Sequence, residues 1–110
     1  MENESCFAIY DKFPVNHGHI LILPKEHKKD FFSLSYREHE DMNILIRNCK
    51  THLDKTLSPD GYNIGYNVGE WAGQTIFHCH AHLIPRFGGD VPVTELKGGI
   101  RNFKNSIVEY

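Results

Sequence analysis

Histidine supplies the chemistry of this chain. Of its eight histidines, five fall in two short alternating runs, His17 with His19 and His78, His80 and His82. Successive side chains of a strand point to opposite faces, so alternate imidazoles read as a row on one face. A row of three is a poor use of a merely solvated surface, and two chemistries remain. Neutral imidazole is a common zinc ligand. It is also a nucleophile near neutral pH, able to attack phosphorus or carbonyl carbon while its neighbours fix its tautomer and give protons to a leaving group.

Geometry weighs against a single ion held by all three. Alternate strand residues lie about 6.6 Å apart, so His78 and His82 are separated by about 13 Å, while zinc–nitrogen bonds are about 2.0–2.1 Å. Two neighbours can converge on a metal, and His19 would have to come from another strand as the third ligand. No Asp or Glu lies within the run, and Cys6, Cys49 and Cys79 form no CxxC pair. A metal hydrolase using His19, His78 and His80 is thus an alternative, and nucleophilic phosphoryl chemistry is favoured. Such transfer needs donors around the equatorial oxygens. The segment Gly69 to Thr75, with its glycines and the side chains of Gln74 and Thr75, reads as a phosphate cradle feeding directly into the histidine run.

The elements that must carry these residues are short. Cys6–Tyr10 reads as a strand ending at the turn-prone Asp11-Lys12-Phe13-Pro14. His19–Leu23 reads as a buried strand stopped by Pro24, which has no ladder N–H. Ser35-Tyr36-Arg37-Glu38 has the spacing of a capping box. Behind it, Met42, Leu45, Ile46, Cys49, Leu53 and Leu57 recur at helical steps, and the helix ends before Pro59-Asp60-Gly61. Tyr62–Val68 reads as a third strand and Thr75–Arg86 as a long fourth one. On that fourth strand Phe77, Cys79, Ala81 and Leu83 pack against the helix and the histidines face the other way. Ile100–Val108 adds a short strand or a crossing tail. The order implies an α+β class, a mostly antiparallel five-stranded sheet with one main helix on a face.

With 110 residues the chain has the size of one domain, residues 1–110. At 40% hydrophobic and 24% charged residues its composition is that of a globular protein. A net charge of −2 argues against a nucleic-acid polymer as partner. The longest apolar run, Ile20 to Leu23, is too short to span a bilayer, and Met1-Glu2-Asn3-Glu4-Ser5 has no secretory n-region or h-region. Three unpaired cysteines suit a reduced, cytoplasmic setting. His27, His39 and His52 read as scattered surface residues, and His17, beside Gly18, as part of a loop.

His78-Cys79-His80-Ala81-His82-Leu83-Ile84 resembles the His-φ-His-φ-His-φ-φ signature of the histidine triad (HIT) proteins. Three further blocks match in order: Pro14–Lys25, Pro59–Gly65 and Asn67–Thr75, with Pro85-Arg86 after the triad. The chain is most similar to microbial members of the diadenosine-polyphosphate-hydrolase type. The resemblance implies a HIT-like fold, a homodimer, and a nucleotide hydrolase acting at the α-phosphate with no cofactor. It makes His80 the nucleophile that forms a nucleotidyl-histidine intermediate, with its second ring nitrogen oriented by a main-chain carbonyl such as that of His78. His82, His78 and His19 complete the cluster, with Gln74 as a further catalytic group.

Asp11, eight residues before His19, is implied as a ribose ligand. Gln74 and Thr75 are implied as contacts to the phosphates and the leaving group, Asn67 as a contact on the phosphate or ribose side of the nucleotide, and Ile9 and Phe7 as part of the base pocket. Three departures from the family pattern bear on substrate. The third triad position is His82 rather than the Gln of nucleotidylyltransferases, which favours hydrolysis. A CxxC zinc half-site is missing, so no structural metal is expected. The tryptophan-bearing tail of the phosphoramidase branch is missing too, which weighs against phosphoramidates. A nucleotide-binding or scaffold protein with incidental phosphoramidase activity stands as the alternative from a different functional class.

Overall fold

A computed structural model describes residues 1–92 and 98–101 of the chain. Four strands, β1 (Cys6–Tyr10), β2 (Ile20–Pro24), β3 (Gly61–Gly65) and β4 (Ala81–Arg86), form one antiparallel sheet in the order β1-β2-β4-β3. One long helix, α1 (Tyr36–Thr56), crosses between β2 and β3.

The capping box forms as its sequence implies. Ser35 Oγ accepts the Glu38 N–H at 3.1 Å, and the Ser35 N–H donates to Glu38 Oε1 at 2.8 Å. From there Met42, Leu45, Cys49 and Leu53, three and four residues apart, are buried as one stripe. They meet Cys6, Ile20, Ile22, Ala81 and Leu83, the inward set of β1, β2 and β4. Register explains which residues these are. Ile20 pairs with Leu83 and Ile22 with Ala81, and directly opposed residues of a ladder share a face. Leu21 pairs with His82, and His82 in turn with Gly65. His82 therefore stands on the face turned away from the helix, with Leu21, and with Phe7 and Ile9 through their pairing to Leu23 and Leu21.

The long fourth strand expected from Thr75 begins only at Ala81. Continuing the β2–β4 register would set Cys79 opposite Pro24, which has no N–H to give, so the ladder ends. The Cys79 N–H goes instead to the Lys28 carbonyl at 2.6 Å. The alternation survives outside the ladder in part: Cys79 is buried beside Ala81 and Leu83, whereas Phe77 is exposed rather than packed under the helix. The β3 ladder stops at Gly65, opposite His82, and does not reach Val68. Pro24 itself is the last residue of β2, paired with Cys6. A fifth strand is not among the described residues. Gly99–Arg101 form a single 3-10 turn, and the remainder of the Ile100–Val108 segment, 102–108, lies outside them.

Candidate active site

The turn between β1 and β2 builds the first wall. Asp11 N–H donates to the His19 carbonyl at 2.9 Å, and Asp11 Oδ1 accepts the Phe13 N–H at 2.9 Å, an Asx turn. Gly18, at φ +91°, swings the chain back so that the His19 N–H reaches the Asn16 carbonyl at 3.1 Å. This fold of the loop aims the Val15 N–H at His19 Nδ1, 3.0 Å away.

That contact decides the protonation of two imidazoles. A ring nitrogen that accepts a backbone N–H carries no proton, so neutral His19 is protonated at Nε2. His19 Nε2 lies 2.9 Å from His82 Nδ1 and 3.5 Å from Asp11 Oδ2. It donates to His82, whose own proton is then on Nε2. His80 is fixed in the opposite sense. Its Nδ1 lies 2.9 Å from the His78 carbonyl, which only accepts, so Nδ1 is protonated and Nε2 offers a lone pair. The His80 and His82 rings stand edge to face, with centroids 5.0 Å apart. A lone pair and an N–H are thus presented side by side.

His78 takes a supporting place. Its Nε2 donates to the Pro24 carbonyl at 3.0 Å, and its Nδ1 faces His27 Nδ1 at 3.3 Å. His27, read from the sequence as a scattered surface residue, therefore abuts the triad. Nothing in its spacing, 51 residues away, signals that. His19 is almost wholly buried and His82 half-buried, and burial lowers both pKa values. The neighbouring His80 and His19 push His82 down further, while Asp11 pulls each back up.

The glycine loop differs from the cradle its composition suggests. Gly69 and Gly73 adopt positive φ, and the amides of Ala72, Gly73 and Gln74 bond to carbonyls of Gly69 and Glu70. Gln74 is engaged within the protein. Its buried side chain accepts the Gly69 N–H at 2.9 Å and donates to the Lys29 and Ile76 carbonyls at 2.8 and 3.2 Å. Gln74 is a staple of the loop. Thr75 is exposed, and Asn67 is exposed on the wall of an open cleft of about 570 Å³ that also meets Val15, Ile64, Tyr66, His19 and His82. Asp11 lines a second cleft of about 470 Å³ with Tyr10, His17 and His52. Ile9 borders a third of about 240 Å³, and Phe7 lines none of the three. The described residues therefore gather His19, His78, His80, His82 and Asp11 into one cluster, of which His19 and His82 line the 570 Å³ cleft, whereas Phe7, Ile9 and Thr75 do not line it.

Asp11, His19 and His82 offer three ligand atoms within 4.8 Å of one another, the set that could hold a metal ion. Its donor chemistry does not suit one. An Nδ1 that accepts the Val15 N–H leaves the proton on Nε2, the atom a cation would need, and a coordinating imidazole must be free of it there.

A family model, the HIT domain, matches residues 1–89. The chain belongs to the HIT family. An uncharacterized HIT-like protein of Mycoplasma genitalium is 41% identical over 86 residues, which cover 78% of this HIT chain and 61% of that protein. A Mycobacterium tuberculosis protein named AP-4-A phosphorylase is 28% identical over 94 residues, covering 84% of this chain and 48% of its own length. A crystal structure of a HIT family protein from Bacillus anthracis superposes with a TM-score of 0.78 at 38% identity, covering 82% of this chain and 64% of that one. The chain thus spans between about half and two thirds of the length of these HIT relatives.

Proposed function

We propose that this HIT protein is a nucleotide hydrolase that cleaves dinucleoside polyphosphates or related phosphoanhydrides at the α-phosphate. The observation that carries the reading is the opposed protonation of adjacent rings: a bare Nε2 on His80 beside an Nε2–H on His82. His80 Nε2 attacks the α-phosphorus, and the P–O bond to the polyphosphate breaks as the His82 Nε2–H hydrogen-bonds to the bridging oxygen, so that the polyphosphate leaves as its anion. Water then cleaves the P–N bond, returning the nucleoside monophosphate and free His80. The name of the AP-4-A phosphorylase relative supports a dinucleoside polyphosphate as the class. Asn67, on the cleft wall beside His82, and Thr75 are proposed as phosphate contacts. Asp11 is proposed to accept the ribose hydroxyls, and Phe7 and Ile9, on the sheet face of His82, to meet the base. Gln74 contributes by holding the loop.

Assembly as a homodimer is part of the same proposal. Among the described residues edge strand β3 has a neighbour on one side only, and Ile64 on it and Ile100 beside the cleft are both exposed.

The test is release of AMP from diadenosine tetraphosphate by the purified chain. His80→Ala should lower turnover by roughly 1,000-fold or more, and His80→Asn should keep nucleotide affinity. Wild-type turnover by His80→Ala would rule out the nucleophile. Tight nucleotide binding with no turnover of any anhydride would favour a binding protein, and activity lost on chelation a metal hydrolase.

A further inference from the structure

A hydrogen-bonded chain runs from the far end of β4 into the histidine cluster. Arg86 grips Asp90 with two bonds, Nε to Oδ2 at 2.9 Å and a terminal N–H to Oδ1 at 3.0 Å. The Phe87 N–H adds a third at 3.0 Å. These donors hold the Asp90 carboxyl well below the usual carboxylate range, so it is ionised at neutral pH. The Asn16 side-chain amide donates to Asp90 Oδ2 at 2.7 Å and to the Pro85 carbonyl at 3.0 Å. Both partners only accept, which fixes the orientation of that amide. The side chain of Asp90 is only 10% exposed.

Asn16 lies between the two backbone groups that set His19. Its carbonyl accepts the His19 N–H, and the residue before it, Val15, sends its N–H to His19 Nδ1. We propose that Asn16, clamped by Asp90 and Arg86, is a positioning residue that fixes the tautomer of His19 and, through it, the proton that His82 presents to the site.

The logic is one of donors and acceptors. With Val15 N–H in place, His19 must donate from Nε2, and His82 must accept at Nδ1 and carry its proton on Nε2. Release of the loop frees His19 Nδ1 to take the proton. His19 Nε2 then accepts from His82 Nδ1–H, and His82 turns a lone pair outward. The distances between the rings need not change. The site loses a hydrogen-bond donor without losing its shape. The value of that donor rests on the hydrolase reading above, whereas the tautomers themselves do not.

The experiment is long-range 1H–15N correlation of the histidine rings near pH 8 in the wild type, in Asn16→Ala and in Asp90→Asn. The expected result is Nε2–H for His19 and His82 and Nδ1–H for His80 in the wild type. Both variants should show mixed tautomers at His19 and His82 with His80 unchanged. Turnover of diadenosine tetraphosphate should fall roughly tenfold or more in kcat, as a misplaced imidazole proton does elsewhere, with KM within about twofold. Ser35→Ala, at the helix cap remote from the clamp, serves as a control that loses stability with native tautomers. Native tautomers in Asn16→Ala, with only a lower melting temperature, would overturn the proposal, as would Nδ1–H at His19 in the wild type. A protein without phosphoanhydride turnover in which the variants still shift the ring signals refutes the hydrolase reading and supports the clamp.

Discussion

At the scale of single residues, the two buried imidazoles tie the site to the stability of the fold. Burial lowers the pKa of His19 and His82 from the ordinary 6.5. On acidification the unfolded chain therefore takes up these protons first. Stability from the pair is fully present above pH 6.5 and is lost as pH falls from there through the lowered folded values. The urea midpoint should accordingly drop between pH 7 and pH 5, and the drop should shrink in His19→Gln. An unchanged pH slope in that variant would separate His19 from the effect. The carboxylates held low, such as Asp41 and Asp90, act in a different window, because their contribution is lost only below about pH 4. The sequence made His19, His78, His80 and His82 legible because alternation is a strong pattern. The Val15 N–H, the Asn16 clamp and the His27 contact were not legible, since each depends on a loop bringing distant backbone together. Gln74 shows a different limit of the sequence. A polar residue beside a glycine reads the same whether it faces ligand or fastens the loop, and only its buried partners decide.

At the scale of elements, α1 was readable almost to the residue, because a capping box and an apolar stripe are local signals. The ends of β3 and β4 were not. The start of β4 is set from a separate strand, where Pro24 ends the ladder. The outcome is that the segment leading to His80 is held by carbonyls instead of a ladder: His78 bonds to Pro24, Cys79 to Lys28 and Gln74 to Lys29. Gly18 is the tightest joint between this site and the helix. A Cβ there would lie 2.6 Å from Leu57 Cδ1, 3.1 Å from Leu53 Cδ2 and 3.3 Å from Pro85 Cγ, at a φ that favours glycine. Backbone strain and overpacking together should make Gly18→Ala about 2–4 kcal/mol less stable. Urea denaturation measures it, and a loss under 0.5 kcal/mol would show that Leu57 and the turn yield freely.

At the scale of the whole molecule, the sheet has four strands among the described residues rather than five, with the helix covering one face and the histidine cluster on the other. No helix among them is long and apolar enough to cross a membrane. All three cysteines are free and buried, and burial pushes the Cys79 thiol up to about 12 and raises Cys6 and Cys49 as well. A thiol reagent at pH 8 should therefore label the native protein slowly at every cysteine, at rates that rise together with urea. Fast labelling of Cys79 alone, without denaturant, would point to local opening of the segment next to His80. The lone tryptophan has a separate use. Trp71 sits fully exposed on the 3-10 turn Glu70–Ala72, in the loop that leads to the histidines. Its emission should be that of an indole in water in the folded and unfolded states alike, which would make fluorescence nearly blind to denaturation of this protein. The same placement makes it a built-in probe of the loop, where a blue shift on adding a nucleotide would signal cover arriving over Trp71 and nothing else in the fold.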